Sequence, residues 1–169
     1  GMEPGLQADY VEQVPMGGGL PDADGRVQMY PCYSFAAHLV LLTIDPLTAQ
    51  IKLLDYAFAH DCGTMINPDI VKGMMLGGIA HGIGAALYEK FAYDEQGQLL
   101  SGTFADYLLP SAHEVPMVRM ASHNTPSPLT VFGQKGAGEG GYLGAPAAIA
   151  SAINDALAPL KQEIWTLPI

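Results

Sequence analysis

Two neighbouring stretches decide the fold: SFAAHLVLLTIDPLTAQIKLLDYAF at residues 34–58 and NPDIVKGMMLGGIAHGIGAALYE at residues 67–89. In the first, an apolar, β-branched run from Ser34 to Ile44 meets the turn sequence Asp45-Pro46-Leu47-Thr48, and Ile51 to Phe58 follows as a second run. Short apolar runs bounded by turn residues read as strands, so this segment predicts a largely buried antiparallel hairpin. In the second, Asn67 has the side chain of an N-cap, Pro68 suits the first helical position and Asp69 places an acid in the first turn. The helix is expected to run to about Glu89. Its interior glycines, Gly73, Gly77, Gly78, Gly82 and Gly84, each cost up to about 1 kcal/mol relative to alanine. Either close helix packing through small residues, or a ligand or second chain lying on bare backbone, accounts for them; the two are compatible.

Outward from this centre the pattern weakens. Residues 1–31 mix acids, prolines and glycines (Gly17-Gly18-Gly19, Pro21, Gly25) without periodicity and read as an extended lead-in. Gly1 reads as a tag remnant before a start methionine, Met2, which favours a short reading frame. Lys90–Tyr93 and Gln98–Gly102 flank Asp94-Glu95-Gln96-Gly97, a second hairpin signal. Four prolines between 103 and 130 predict mostly loop, with a short strand at Val118–Ser122. A glycine-rich loop follows at 132–141, then a helix from Ala145 to Leu157 whose core face reads Ile149, Ile153, Ala156 and Leu160. The apolar stretch Met74–Leu87 is shorter than the roughly 20 residues of a membrane span and reads as a buried helix. The expected fold class is α+β: antiparallel or mixed strands packed with a long glycine-rich helix and a C-terminal helix.

Composition narrows the function. Hydrophobic residues make up 49% of the 169 and charged ones 14%, against about 25% charged in an ordinary soluble domain. Part of the surface is therefore expected to be covered by something else. The net charge is −10, and the seven cations, Arg26, Lys52, Lys72, Lys90, Arg119, Lys135 and Lys161, are scattered. Nucleic-acid binding needs clustered cations and a membrane-surface helix needs a basic face, so both are excluded. An anionic ligand would rely on backbone N–H groups. Cys32 and Cys62 supply neither a C-x-x-C site nor an iron–sulfur cluster. His38, His113 and His123 have no metal-ligand spacing, and the adjacent His60-Asp61-Cys62 would point to opposite faces of a strand.

Gly136-Ala137-Gly138-Glu139-Gly140-Gly141 satisfies G-x-G-x-x-G. It lacks a long preceding strand, a following strand and the acid about 20 residues on that dinucleotide binding requires. No Gly-Lys-Ser/Thr follows, which excludes a Walker loop. What stands out is Glu139, the only carboxylate between Glu114 and Asp155. A carboxylate among glycines can approach a substrate closely, and exclusion of water would raise its pKa toward that of a general base. Lys135 would oppose that rise. The plainer alternative is a surface loop with one solvated acid. His81 reads as a core histidine or, less simply, as a ligand.

These motifs carry a resemblance. Tyr33-Ser34-Phe35-Ala36-Ala37-His38, Asp61-Cys62-Gly63 with Ile66-Asn67-Pro68, Gly77-Gly78-Ile79-Ala80-His81-Gly82-Ile83-Gly84, Asp106-Tyr107-Leu108-Leu109-Pro110, Thr125-Pro126-Ser127-Pro128 and Lys135-Gly136-x-Gly138-Glu139 with Gly144-Ala145-Pro146 occur in order. Together they resemble the C-terminal part of the large subunits of molybdenum hydroxylases: the xanthine dehydrogenase, aldehyde oxidase and aerobic carbon monoxide dehydrogenase family, with the last type nearest. The likeness covers about residues 8–160 and implies the fold of the second molybdopterin-binding domain, with residues 32–169 its C-terminal portion.

The resemblance further implies that Glu139 is the active-site base, taking a proton from a hydroxyl on molybdenum. Hydride would pass to a sulfido ligand, and electrons would leave through 2Fe–2S centres and FAD on partner subunits. It implies cofactor contacts from His81, Gly78, Gly136, Ala137 and Gly138, to molybdopterin in its cytosine dinucleotide form. Met74 and Leu76 depart from the polar residues usual there. Family large subunits are several times longer, which implies that the isolated chain is incomplete as an enzyme and works with other large-subunit segments in the cytoplasm. A non-catalytic structural or binding module with the family fold is the alternative.

Overall fold

The computed structural model describes residues 5–6, 8–11, 19–27 and 29–169; Gly1–Glu3, Gly17 and Gly18 lie outside the described residues. The chain divides into two units, Gly1–Tyr33 and Ser34–Ile169. In the first, Asp22 organises a turn: its Oδ1 accepts from the N–H groups of Asp24 (3.0 Å) and Arg26 (2.8 Å). Tyr30 and Tyr33 meet edge to face with ring centroids 6.1 Å apart.

In the second unit the antiparallel hairpin forms, but it is not largely buried as expected. No residue of the first strand is fully buried, because one face of the hairpin packs on the helices and the other is left open. Strands β1 (Phe35–Ile44) and β2 (Ile51–Asp61) pair antiparallel, with an irregularity between Leu41 and Leu42. The turn is set by Asp45, whose Oδ1 accepts from the N–H groups of Leu47 (2.8 Å) and Thr48 (3.0 Å). Helix α1 (Pro68–Leu87) starts at Asn67, whose side chain accepts from the Ile70 N–H at 3.1 Å. It stops two residues short of the expected end, where the Tyr88 N–H closes on the Gly84 carbonyl at 2.9 Å. The short strand β3 (Val118–Ser122) pairs parallel to β2, Tyr56 opposite Val118 through His60 opposite Ser122. Helix α2 (Ala145–Leu157) tightens into a 3₁₀ turn at Ala158–Leu160. The sheet order is β1-β2-β3, giving the α+β fold expected from the sequence.

Both helices serve one core. Tyr56 and Phe58 of the sheet, Met75, Ile79, Ile83 and Ala86 of α1, and Ala145, Ile149 and Ile153 of α2 are buried together. Each large apolar side chain removed from water there contributes roughly 1.5–3 kcal/mol. The opposite face of the hairpin is apolar yet open: Phe35, Leu39 and Leu41 are 66%, 67% and 57% exposed. Among the described residues, β1 has β2 as its only strand neighbour.

Three other expectations change. The second hairpin reduces to a single bridge, Tyr93 with Leu99. Asp94 makes the turn, accepting from Gln96 N–H (2.9 Å) and Gln98 N–H (2.8 Å), but two short strands with no third are barely stable. On α2, Ala156 and Leu160 are exposed, and Leu157 packs against the core instead, because the face continues at i+4 from Ile153 before the helix tightens. Finally, α1 begins at Pro68, so its 20 residues are long and apolar enough to cross a membrane, with 33% of that stretch buried in this fold. The rest presents apolar side chains outward, including Ile70 (60% exposed) and Met74 (41%).

Candidate functional site

The glycine-rich loop is anchored at its base to the end of β2. The Lys135 N–H donates to the Cys62 carbonyl (2.8 Å), the Thr64 N–H to the Gly133 carbonyl (3.1 Å), and Gly63 bridges Gln134. Only glycine fits at two of these points. Gly63 and Gly133 have φ of 66° and 75°, and a Cβ on Gly63 would strike the Gly133 carbonyl oxygen.

Beneath this base lies a buried ion pair. Lys135 Nζ donates to Asp61 Oδ2 at 2.8 Å and to Thr125 Oγ1 at 2.7 Å, and the two charged side chains are 8% and 10% exposed. Asp61 also accepts from Gly63 N–H (2.8 Å), Thr125 N–H (3.0 Å) and the Thr125 hydroxyl. Burial alone would raise the Asp61 pKa, but Lys135, Thr125 and the two backbone donors hold it well below the usual carboxylate range. Lys135 is therefore committed to Asp61. The sequence expectation that it opposes Glu139 is replaced: its charge is used at the foot of the loop.

Above this base the chain turns over α1. A Cβ on Gly141 would collide with the Met75 carbonyl oxygen, one on Gly140 would lie 3.0 Å from Met75 Sδ, and one on Gly78 would lie 2.9 Å from the Tyr142 nitrogen. The Glu139 carbonyl accepts from Tyr142 N–H (3.0 Å) and Leu143 N–H (3.2 Å), which makes 139–143 a tight turn leading into α2. The Glu139 side chain is exposed, and no protein group pairs with it among the described residues. Among the described residues nothing excludes water from Glu139, the condition for a tuned base.

The other expected site residues separate by position. His81 is exposed rather than a core histidine. It stacks on Tyr142 with ring centroids 4.4 Å apart and an interplanar angle of 27°, so it shares the Glu139 turn. A Cβ on Gly136 would meet nothing within 4 Å, one on Gly138 would meet only Met74 Cε at 3.9 Å, and Ala137 packs against the core. Among the described residues, no protein acceptor takes the backbone N–H groups of Gly136, Ala137, Gly138 or Glu139. Gly78 faces the loop instead of open space. The open positions on α1 are Gly73 and Gly77, where a Cβ would meet nothing within 4 Å. The helix glycines thus divide: Gly78, Gly82 and Gly84 are packed closely, while Gly73 and Gly77 leave bare backbone facing outward. Among the described residues, no cluster of three or more His, Cys, Asp or Glu side chains is placed to hold a metal ion, and both cysteines are free.

Residues 3–116 match the molybdopterin cofactor-binding domain family. The chain belongs to that family. The match begins at residue 3, within the lead-in. The chain is 41% identical over 157 residues to the gamma subunit of the 6-hydroxypseudooxynicotine dehydrogenase complex of Paenarthrobacter nicotinovorans, covering 92% of this chain and 18% of that protein. It is 37% identical over 129 residues to the carbon monoxide dehydrogenase large chain of Afipia carboxidovorans, covering 76% and 16%. Among solved structures, quinoline 2-oxidoreductase from Pseudomonas putida 86 superposes with a TM-score of 0.77 at 47% identity, over 78% of this chain and 17% of that one.

This molybdopterin-binding domain thus spans less than a fifth of the length of the large subunits it matches. The family match ends before the glycine-rich loop. The longer alignment, at 92% of the chain, leaves too few residues outside it to miss Glu139. The residues present fit the cofactor: unengaged backbone donors at 136–139 and an exposed imidazole at His81 suit an anionic ligand better than a cationic or purely apolar one, and the bare backbone at Gly73 and Gly77 leaves room for its close approach.

Missing from the sequence reading were Asp61, Thr125 and Lys135 as one unit. Their signal was present: Asp61-Cys62-Gly63 and Thr125-Pro126 were both among the resemblance motifs, but nothing local says that residues 74 apart touch.

Proposed function

We propose that this domain supplies the catalytic base, Glu139, and part of the cofactor bed of a molybdenum hydroxylase. The reading is carried by one observation: an unpaired carboxylate on a turn that is clamped at Met75 and at its Asp61–Lys135 foot, beside the bare backbone of α1. Molybdopterin, in the proposed cytosine dinucleotide form, supplies a molybdenum centre that transfers oxygen to an electrophilic carbon and accepts two electrons. The chain's own residues do the rest. The N–H groups of Gly136, Ala137, Gly138 and Glu139 hold anionic oxygens, His81 offers a ring nitrogen held flat by Tyr142, and the Glu139 carboxylate accepts a proton. Other segments of the large subunit close the site and exclude water, which raises the basicity of Glu139 toward the working range.

The relatives are named for substrates as different as carbon monoxide and quinoline, so the substrate class is a small molecule with an electrophilic carbon: carbon monoxide, an aldehyde or an N-heterocycle. Partners are proposed to be the remaining large-subunit segments, an FAD subunit and a 2Fe–2S subunit; the subunit name of the dehydrogenase-complex relative supports a multi-chain assembly. Two free thiols suit the reducing cytoplasm.

Gly77→Ala tests the cofactor bed. With nothing within 4 Å of the new methyl, the change is expected to stabilise the domain by a few tenths to about 1 kcal/mol. It should also lower the molybdenum and pterin content of the complex co-purified with the remaining large-subunit segments. Stabilisation with unchanged cofactor content would refute this bed and favour a structural module.

A further inference from the structure

His38 and Tyr56 are opposed to the glutamate turn from the inner face of the sheet. Neither is used by the proposed chemistry. Tyr56 is fully buried, and its hydroxyl meets His38 Nδ1 at 2.8 Å. Burial pushes the Tyr56 hydroxyl far above its ordinary pKa, so it stays protonated and is the donor. His38 Nδ1 is then the acceptor, and the ring proton of the neutral imidazole resides on Nε2. Burial lowers the His38 pKa, which keeps the ring neutral near pH 7.

Nε2 is buried and makes no well-formed hydrogen bond, yet it is aimed at the turn. A Cβ on Gly144 would lie 2.7 Å from it, so the ring edge rests against the Gly144 backbone. The Gly140 backbone is near enough to favour the protonated ring, partly offsetting burial. The segment 140–144 is thus held between two supports: Met75 of α1 under Gly140 and Gly141, and His38 of β1 under Gly144. A buried donor without a full partner is costly, and this one faces the turn that presents Glu139.

We propose that His38, fixed in its Nε2–H form by Tyr56, is a positioning residue that props the Glu139–Gly144 turn from below and so sets the reach of the Glu139 carboxylate. This deepens the reading of Glu139 as the base and rests on it for its functional meaning, but the propping itself does not depend on that reading.

Hydrogen–deuterium exchange on the full chain tests it, because the amides of Tyr142 and Leu143 donate to the Glu139 carbonyl and report on the turn. His38→Ala, which removes the ring packed against Gly144, is expected to speed their exchange about tenfold, with β2 and the buried part of α1 unchanged. His38→Gln, which keeps a donor near the Nε2 position, should restore most of the protection. Tyr56→Phe, which frees Nδ1 but leaves the rings in place, should give a smaller rise confined to the same amides. Unchanged exchange in His38→Ala, or an increase spread evenly over the core with no rescue by glutamine, would overturn the proposal. Turnover of the assembled complex separates the two readings. If His38→Ala loosens the turn and lowers kcat at constant KM, both stand. If it loosens the turn while Glu139→Gln turns over normally, the base assignment fails and the prop remains.

Discussion

Glu139→Gln is expected to lower turnover of the assembled complex by about 10²–10⁴-fold, the range contributed by a positioned general base, while leaving KM, cofactor content and thermal stability close to wild type. The substitution keeps shape and hydrogen-bonding reach and removes only the ability to take a proton. Stability should hold because the Glu139 side chain is exposed and has no protein partner among the described residues; surface changes of this kind usually fall within about ±0.5 kcal/mol. The backbone of the turn, held by Tyr142 and Leu143 N–H groups, is indifferent to the side chain. Steady-state kinetics beside a molybdenum assay decides the matter: normal turnover in a fully loaded Gln variant would remove Glu139 from the chemistry.

Lys135→Ala should be the most destabilising single change in the loop. It leaves the Asp61 carboxylate, 10% exposed, without its counter-charge in the protein interior. Breaking a buried pair from one side costs about 3–5 kcal/mol, which for a chain of this size lowers the melting temperature by on the order of 10 °C. Thermal unfolding of the full chain measures it, and a shift of only a degree or two would mean that water reaches Asp61. The same pair fixes the sign of the acid response. Asp61 has a folded pKa below its unfolded value near 4, so its stabilisation is fully present above that value. It drains away as pH falls through the folded pKa. Wild type should therefore lose stability more steeply below about pH 4 than an Asp61→Asn, Lys135→Met double variant, in which both charges are gone.

The local features were legible because their causes are local. Asp45 and Asn67 announce a turn and a helix start through side-chain oxygens that reach their own backbone two to three residues on. Pro146 marks the start of α2 by a different local cause, its fixed φ suiting the first helical turn after Gly144, which caps without a side-chain bond. The orientation of the helix glycines was not legible. An apolar helix shows no preferred face, so sequence alone could not separate packed Gly78, Gly82 and Gly84 from open Gly73 and Gly77. Long-range pairs were hidden for a related reason. His38 with Tyr56 depends on strand register, and Asp61 with Lys135 on a crossover through α1 and the parallel β3. Glu139 was singled out by composition as a lone acid among glycines and given a role only by the resemblance; the supports that hold its turn came only from the fold.

The outer side of β1 has a practical consequence. Ten residues, FAAHLVLLTI, form an edge strand with no proline and no full charge, and the face next to it shows Leu39 and Leu41 to solvent. Proteins that keep such edges uncovered usually blunt them with lysine, proline or a bulge, since unpaired strand edges template further pairing. The irregularity at Leu41 and Leu42 is the only such device here. Prepared without its partners, the domain is expected to self-associate as its concentration rises. Light scattering across a dilution series would register this, and a concentration-independent monomer would contradict it. Handling the chain in the company of whatever covers this edge is therefore as much a matter of colloidal survival as of catalysis.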